Sequence, residues 1–486
     1  MNMPLFVNDI KDIGCNVECI CASASRLSDF ARYIKKKKFD LIAVDHAFPI
    51  VFLNELKRIF PEAKLVTGGS GFLDAFLKSD IDFAVIGAGR ESFLRLAEAL
   101  KNNRDLYAIP NLFLKIKKNN KILIDYSGKN VNLDLKKELF PYNPFLKWKY
   151  IGFKEGDKIN DYVTLVAEFG CPYRFKKLNR YYDNLSMRTL SRDIFTERAR
   201  KRIKDLFQER MQGGCSFCTY NSYVSLPVGE TIDCLMKQVR FLQKKYRFKR
   251  FAIGSENPFR FIEKLINKML KEDIEIEWLA MRSRADWVNK NKRTLFAMID
   301  LAKKYNFKII LNQLGFESLI QKDLDIYNKG YKVTENLKAI KLIRRLKKIA
   351  PRHFQDGGGH GMMGIGPWIT LKDLKEYLNS KAYYLAWPCL SSNLVLYDRC
   401  LPIYQKLKKD GLLVENKTSL DSFRYKDKNV SRFLNTVYKI DLYLHKKYLA
   451  GKKSQHSYYK YKKMLMQIQK DTLSKIENHA MTQENR

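Results

Sequence analysis

Short apolar runs alternate with segments of helical periodicity along two long parts of the sequence. The runs are rich in β-branched residues and are bounded by glycine or polar turns, which is typical of buried strands. Because a strand, a helix and a second strand in succession join parallel strands, this alternation predicts α/β domains built on parallel sheets. The predicted strands are VECICA (17–22), DLIAVD (40–45), KLVTGG (64–69) and DFAVIG (82–87) in the first part, and residues 162–169, 250–255, 274–283, 307–315, 360–366 and 391–397 in the second.

The order of these segments predicts four regions. Residues 1–104 form an α/β domain, and residues 105–160 form a connector with a strand-like pair at 111–124. Residues 161–402 carry six strands separated by helical patterns, which fits a partial (β/α)6 barrel with its active site at the carboxyl ends of the strands. Residues 403–486 read as basic and mostly helical.

Composition limits the class of protein and of partner. The chain has 486 residues, 45% of them hydrophobic, and a net charge of +38, so it is a folded protein that attracts anionic partners. Nucleic acid, a membrane surface and an acidic substrate all fit, and so does lysine spread over solvated faces. No apolar run is long enough to cross a bilayer, and no basic region followed by an apolar one opens the sequence, which predicts a cytoplasmic protein.

The cysteines carry the strongest chemical signal. Cys215 and Cys218 lie two residues apart in GGCSFCTY, and two thiolates on one turn can bind the same metal. Zinc would want two further ligands, which Cys234 alone does not supply, whereas an iron–sulfur cluster can use three cysteines and leave one iron open. Cys171, at the end of the first barrel strand in EFGCPYR, is the candidate for the third ligand.

These motifs resemble those of the radical S-adenosylmethionine enzymes, in particular the branch with an N-terminal cobalamin-binding-like domain. The family signature combines a GCP-type strand end with CxxxCxxC, and GCPYR and CSFC match it, with Phe217 at the aromatic position before the last cysteine. One departure is large, because 43 residues separate Cys171 from Cys215 where the family has three. Residues 172–214 are therefore predicted to be a helical insertion between the halves of the motif.

Four later segments, RFAIGSENPF, MRSRAD, LGFES and MMGIGPW, resemble successive barrel strands of the same family. The resemblance implies a 4Fe-4S cluster on Cys171, Cys215 and Cys218, reductive cleavage of S-adenosylmethionine, and radical chemistry, either methyl transfer or a rearrangement, on a substrate that the sequence does not define. It also implies an electron donor such as a flavodoxin or ferredoxin. The residues implied to line the S-adenosylmethionine pocket are Phe217, Gly254, Ser255, Glu256, Arg282, Arg284, Glu317, Ser318 and Gly364.

The first region resembles a Rossmann-like, cobalamin-binding domain that is truncated at its start. The resemblance places Gly68, Gly69, Gly71 and Gly87 in the loops beside the corrin tail. The first strand of such a domain is missing, however, and Lys11 stands where the motif DxHxxG would put the cobalt-ligating histidine. Two alternatives stay open, namely a domain that binds cobalamin and a domain that only packs against the barrel.

A rival interpretation belongs to another class of protein. The insertion carries 12 Lys or Arg against 5 Asp or Glu, and HSYYKYKK near the end interleaves aromatic and basic residues. Such a pattern suits stacking on bases and contact with phosphates, so an RNA-binding or RNA-modifying protein with a structural zinc at the CxxC is the alternative. Cys234 is expected in a core, and His353, Asp356 and His360 as ordinary loop polar groups.

Overall fold

The structure is a computed structural model of the whole chain. The residues that it describes are 11–18, 20–22, 27–45, 50–69, 73–87, 89–128, 149–151, 162–166, 168–187, 190–219, 223–358, 360–385, 394–396, 398–416, 419–448 and 455–484.

The amino-terminal part folds into a five-stranded sheet with helices between its parallel strands. The first six strands are β1 (Ile20–Ala22), β2 (Leu41–Asp45), β3 (Lys64–Gly68), β4 (Phe83–Val85), β5 (Leu112–Lys118) and β6 (Lys121–Tyr126). The helices are α1 (Leu27–Ile34), α2 (Ile50–Ile59), α3 (Leu73–Lys78) and α4 (Gly89–Asn102). The sheet has the order β2-β3-β4-β5-β6, in which β2, β3 and β4 are parallel and β5 and β6 are antiparallel.

Two details of this sheet differ from the expectation. The predicted strand 17–22 is reduced to β1, which lies outside the five-stranded sheet and pairs in parallel with β7 (Lys149–Ile151). The strand-like pair at 111–124 forms β5 and β6 and extends the amino-terminal sheet. Asn119 and Asn120 both have positive φ at the turn between them, which is the backbone conformation of a two-residue hairpin turn.

The second sheet is the parallel arc of a partial barrel. Its strands are β8 (Val163–Leu165), β11 (Arg250–Ile253), β12 (Trp278–Arg284), β13 (Lys308–Glu317), β14 (Phe354–Asp356) and β15 (Gly361–Met362), whereas β9 (Glu168–Gly170) and β10 (Tyr223–Ser225) form a separate antiparallel pair. The order is β8-β11-β12-β13-β14, and β15 also pairs with β13. All of these barrel pairings are parallel.

Helices cover this arc and bury its outer face. The helices of this region are α5 (Glu197–Met211), α6 (Val228–Tyr246), α7 (Ile262–Lys271), α8 (Ala285–Lys290), α9 (Lys292–Lys304), α10 (Gln321–Ile326) and α11 (Val333–Ile349). Of these, α6, α7, α8, α9 and α11 contribute residues to the core that covers the arc. Leu279, Ile309 and Leu311 on the strands are completely buried and belong to one core with Leu265 and Met298 of the helices. The apolar residues that repeat at the strand period on the sheet thus pack against those that repeat at the helix period on the helices. A parallel sheet covered by helices requires such packing.

Three predicted barrel strands differ in length from the structure. Residues 162–169 divide into β8 and β9, which belong to different sheets. Residues 360–366 give only β15, because the chain turns at Gly364, where φ is +71°. Of residues 391–397, only 394–396 are described, and they make one isolated bridge, between Leu396 and Asp421.

The insertion between the two cysteine motifs leaves the barrel and contacts the amino-terminal sheet. It consists of short 3-10 turns at Pro172–Phe175 and Arg180–Tyr182, followed by α5. The side chain of Thr196 caps α5, and Ala199 and Ile203 are completely buried in the amino-terminal core. The predicted helical insertion therefore also joins the two domains.

The carboxyl-terminal part is helical, as predicted. It contains α12 (Leu371–Asn379), α13 (Lys381–Leu385), α14 (Pro402–Lys409), α15 (Lys428–Tyr448) and α16 (Gln455–Glu484), with a small antiparallel pair, β16 (Leu413–Val414) and β17 (Ser422–Phe423). In the part of the chain that the structure describes, no helix combines the length and the apolar character needed to span a membrane.

Candidate functional site

The fold brings the two halves of the cysteine motif together. Cys171 follows β9 at the start of the turn Pro172–Phe175, and the backbone of Gly213 and Gly214 packs against that turn. The N–H of Gly214 donates to the carbonyl of Lys176 at 2.7 Å, and Arg174 donates to the carbonyl of Gly213 at 2.5 Å. The insertion thus leaves and returns at neighbouring points, so its length does not separate Cys171 from the CxxC loop.

Gly213 permits this close approach. A Cβ added there would lie 2.2 Å from the carbonyl oxygen of Lys176 and 2.9 Å from that of Arg174. Such distances are far inside van der Waals contact with backbone atoms that cannot turn away. Glycine is therefore required because two backbones touch.

The CxxC loop is held by the segment between α10 and α11. Cys218 donates its N–H to the carbonyl of Cys215 at 3.1 Å, which closes the turn that carries both thiols. Ser216 is completely buried and donates to the carbonyls of Tyr327 and Ile326. The side-chain amide of Asn328 donates to the carbonyl of Gly214 at 2.7 Å.

Cys171 lies within electrostatic range of Cys215. Burial raises the pKa of the Cys171 thiol to about 12, and the negative charges of Cys215 and Glu256 act in the same direction against a backbone hydrogen bond from Tyr173. The two thiols and this carboxylate therefore share one electrostatic environment. Among the described residues, however, no group of three or more His, Cys, Asp or Glu side chains is positioned to hold a metal ion.

A buried arginine lies beside Cys215. Arg284, at the carboxyl end of β12, directs Nη1 toward the Sγ of Cys215 at 3.5 Å and pairs with Asp286 at 3.0 Å. Its guanidinium stacks 3.6 Å from the ring centroid of Tyr173 and donates to the carbonyl of Lys329 at 2.5 Å. Arg284 is only 6% exposed, so a fixed positive charge is held against the cysteine loop.

Lys329 supplies a second buried cation. It is 2% exposed and pairs with Glu317 at 3.2 Å. Burial disfavours its charged form, but the negative charges of Tyr331, Glu317 and Cys215 outweigh this and raise the pKa of Lys329 above that of a free lysine. The cations Arg284 and Lys329 and their ion-pair partners Asp286 and Glu317 thus lie near the cysteine loop. Burial of a charge is costly there.

The other predicted pocket residues fall into two groups. Glu256 and Arg282 form a half-buried ion pair at 2.8 Å across the ends of β11 and β12, with polar atoms facing the mouth of the barrel. Ser255 and Ser318 are instead buried and use their hydroxyl groups internally. Ser255 donates to Glu168, and Ser318 donates to Asp323 at 3.1 Å. These serines are placed to support the backbone at the strand ends.

The predicted glycine and aromatic positions are close to the same mouth. Gly254 is crowded from three sides, because a Cβ would lie 3.0 Å from the side chain of Thr164, 3.1 Å from the carbonyl of Leu165 and 3.2 Å from the side chain of Val166. Phe217 lies between the two cysteines of the CxxC and makes an edge contact with Tyr327, with ring centroids 5.6 Å apart. Gly364 stands at the turn after β15. The structure therefore brings the residues that the resemblance implies in the barrel to one end of the sheet.

The predicted cobalamin-loop glycines lie at the carboxyl ends of β3 and β4. Gly69 has φ +107° and donates its N–H to the carbonyl of Val85 at 3.3 Å, which joins the two strand ends. Gly87 has φ +68°, and no atom of the described residues beyond its chain neighbours lies within 4 Å of where a Cβ would stand. Gly71 lies outside the described residues.

Comparison with known proteins identifies the fold. No protein-family model matches the sequence, and no curated protein matches it. Among solved structures, the cobalamin-dependent S-adenosylmethionine radical enzyme OxsB with aqua-cobalamin and S-adenosylmethionine bound aligns with 93% of this chain at 12% identity and a TM-score of 0.51. The apo, selenomethionine-labelled form of OxsB aligns with 93% of the chain at 13% identity and a TM-score of 0.52. This chain has the fold of the cobalamin-dependent radical S-adenosylmethionine enzymes.

The alignments cover most of this chain but a smaller share of the OxsB chain. The chain spans 65% of the length of OxsB in the first of these structures and 66% in the second. The radical S-adenosylmethionine methyltransferase TsrM from Kitasatospora setae is a more distant neighbour, with 13% identity, a TM-score of 0.45, and 77% of this chain aligned with 66% of its own. The predicted fold class, an α/β domain followed by a partial radical S-adenosylmethionine barrel, is confirmed.

The donor set of this radical S-adenosylmethionine fold suits an iron–sulfur cluster. Two thiols share one turn, a third lies in the same electrostatic environment, and buried cations face the loop. A cluster bound to three thiolates carries negative charge, which such cations stabilise.

Sequence reasoning missed Lys329, Tyr173 and Asp286. Lys329 lies in NKGY at the entry to a helix, a pattern that indicates a turn but gives no sign of a buried ion pair. The polar loop residues were placed as expected, since His360 donates to Asp356 at 2.7 Å and its other ring nitrogen accepts from Leu314.

Proposed function

We propose that the protein is a radical S-adenosylmethionine enzyme that holds a 4Fe-4S cluster on Cys171, Cys215 and Cys218. The observation that carries this proposal is the contact between the turn after Cys171 and the glycines before Cys215, at the carboxyl end of a parallel barrel. A long insertion would otherwise separate the ligands. A bound cluster with one open iron would supply the electron for reductive cleavage of S-adenosylmethionine.

In this proposal, the chain's own residues stabilise the cysteine loop and bind and orient S-adenosylmethionine. Arg284 and Lys329 balance the thiolate charge of the cysteine loop, and the aromatic rings around them exclude water. Glu256 and Arg282 present a carboxylate and a guanidinium at the barrel mouth. Those two groups are complementary to the amino and carboxyl groups of an amino acid, such as the methionyl part of S-adenosylmethionine.

Metal analysis of anaerobically purified and reconstituted protein tests the proposal. We expect iron and acid-labile sulfide in equal amounts, and release of 5′-deoxyadenosine from S-adenosylmethionine after reduction with dithionite. Zinc without sulfide would favour the alternative of an RNA-binding protein with a structural metal. Iron and sulfide without any cleavage of S-adenosylmethionine would also contradict the proposal.

We further propose that the amino-terminal domain binds cobalamin in the loops of Gly68, Gly69 and Gly87. Its support is the position of these loops at the adjacent carboxyl ends of β3 and β4, which the N–H of Gly69 joins by its hydrogen bond to Val85. Incubation with hydroxocobalamin followed by gel filtration tests it. Retention of one cobalamin per chain is expected, and passage of the protein without cobalamin would leave this domain as a packing partner of the barrel.

A further inference from the structure

A groove of about 640 Å³ lies on the outer side of the cysteine loop. One wall is the first part of the insertion, and the other is the segment between α10 and α11. The residues that line it are Phe175, Lys176, Lys177, Leu178, Asn179, Asp325, Asn328 and Gly330. None of these residues belongs to the pocket at the mouth of the barrel.

The groove shares its backbone with the loop that carries the cysteines. The carbonyl of Lys176 accepts from the N–H of Gly214, the residue before Cys215. The side chain of Asn328 donates to the carbonyl of Gly214 at 2.7 Å and to that of Lys177 at 3.2 Å. A molecule seated in the groove would therefore be one layer of backbone away from the cysteine loop.

The rim of the groove is aromatic and basic. Phe175 is 75% exposed, which is unusual for a large apolar side chain, and it contacts only the edge of Tyr223 among the described rings. Lys176, Lys177 and Arg180 around it are exposed, and Asp325 is the acidic residue that lines the groove. An aromatic side chain within a basic rim is typical of a surface that binds an acidic protein.

The proposed function needs an electron at this place. Each reductive cleavage of S-adenosylmethionine takes up one electron, breaks one carbon–sulfur bond and yields methionine and a 5′-deoxyadenosyl radical. The electron must come from a reduced carrier, which loses one electron in the same step. An approach from the barrel mouth would compete with S-adenosylmethionine and substrate, whereas the groove leaves that mouth open.

We propose that this groove is the docking surface for a small acidic electron-transfer protein, with Phe175 at its centre and Lys176 and Lys177 as its charged rim. This inference rests on the proposed function. It adds the place of electron entry and the chemistry of the partner, and it predicts that association is fast at low ionic strength and slows as salt is added.

The test is stopped-flow reduction of the reconstituted full-length protein by a reduced flavodoxin. We expect Lys176→Glu combined with Lys177→Glu to lower the bimolecular rate by about tenfold or more and to remove most of its salt dependence. Phe175→Ser should lower the rate with the salt dependence retained. Reduction by dithionite, which needs no docking surface, should be unchanged in both variants.

A matched variant controls for net charge. Lys303→Glu combined with Lys304→Glu makes the same charge change at exposed positions on α9, and should leave the flavodoxin rate near that of the wild type. An unchanged rate in the Lys176 and Lys177 variant would overturn the docking proposal. So would a loss of RNA affinity at an unchanged flavodoxin rate. Failure of the wild type to assemble a cluster would instead contradict the proposed function.

Discussion

The barrel mouth and the amino-terminal sheet both place glycine-rich loops at the carboxyl ends of parallel strands, but they treat charge differently. At the barrel mouth, Arg284 and Lys329 are buried beside a cysteine. At the corresponding edge of the amino-terminal sheet, the predicted ligand-binding positions are the glycines Gly69 and Gly87, both with positive φ. Buried charge is costly and is retained where it has a specific task. The barrel mouth is therefore where the described part of the chain holds buried cations beside a predicted ligand.

Charged residues near the amino-terminal sheet serve a different purpose. Arg399 pairs with the completely buried Asp74 on α3 at 2.8 Å, and Arg210 pairs with Asp398 at 2.6 Å. The first pair joins the amino-terminal domain to the segment before α14, and the second joins α5 to the same segment. A buried ion pair at a domain contact fixes the orientation of the domains more than it adds stability. Burial alone does not mark a functional site, but burial beside potential ligands does.

The largest expected effect is on metal content. Cys215→Ala removes a thiol at the barrel mouth, so the reconstituted protein should lose nearly all of its iron and sulfide, because the remaining two cysteines cannot retain a cluster. Cys15→Ala removes a free cysteine of similar exposure near the amino-terminal sheet and should leave the iron content unchanged. Anaerobic iron and sulfide analysis measures both. Equal iron in the two variants would remove the basis of the comparison.

The second effect is on stability. Lys329→Met keeps the length of the side chain but leaves Glu317 buried without its cation, which should lower the free energy of unfolding by about 3 kcal/mol. Lys57→Met removes the partner of Asp82 in the amino-terminal domain, where both side chains are 22% exposed. That variant should lose only about 1 kcal/mol, because water screens the pair.

Urea unfolding followed by circular dichroism gives both values. If Lys329→Met lowers the free energy of unfolding as little as Lys57→Met does, then the charge of Lys329 is not held in a buried ion pair at the barrel mouth. Rescue of the Lys329 variant by Glu317→Gln in the same chain is the confirming result, since it removes the unpaired charge.

The third effect concerns the glycines. Gly213→Ala would place a Cβ 2.2 Å from the carbonyl of Lys176 and force the CxxC loop away from the turn that carries Cys171. We expect a loss of about 2 kcal/mol in stability, together with weaker iron retention. Gly68→Ala in the amino-terminal sheet meets the carbonyl of Val85 at 3.1 Å, which a small shift relieves. It should cost about 0.5 kcal/mol, and a larger cost than for Gly213→Ala would reverse the comparison.

The smallest effect is on the pH dependence of stability. Burial raises the pKa of Asp323, behind the turn at Gly366, to about 7. Because the folded protein then holds this proton more tightly than the unfolded chain, the stabilising contribution of Asp323 is present at acid pH and is lost as the pH rises through about 7. The free energy of unfolding of Asp323→Asn, taken relative to that of the wild type, should therefore rise by about 1 kcal/mol between about pH 6 and pH 8.

Asp125, in the amino-terminal domain, should behave in the opposite way. Burial disfavours its charge, but hydrogen bonds from Thr196, the backbone of Tyr126 and others lower the pKa of Asp125. Its contribution is present near neutral pH and is lost on acidification through the lowered pKa. Urea unfolding of the wild type, Asp323→Asn and Asp125→Asn from about pH 2 to about pH 8 measures both slopes, and slopes of the same sign would contradict the assignment.

Much of the fold could be predicted from the sequence because its signals are local. Strands such as 40–45 and 82–87 show as apolar runs between turns, and most of them form as predicted. The carboxyl ends of parallel strands meet at one edge, so pocket candidates such as Glu256 and Arg284 were expected to be neighbours. Strand lengths were less predictable, because 162–169 divides between two sheets only when β10 pairs with its second half.

The sequence by itself determined the two α/β domains, the turn that carries Cys215 and Cys218, and a third cysteine at the end of a strand. The tertiary structure decided that the insertion returns to its starting point, and that Lys329 pairs beside the thiols. The physical reason is the separation along the chain over which each kind of signal acts. Periodicity and turn chemistry act over a few residues, whereas the contact of Gly214 with Lys176 and the pair of Lys329 with Glu317 depend on packing that only the complete fold supplies.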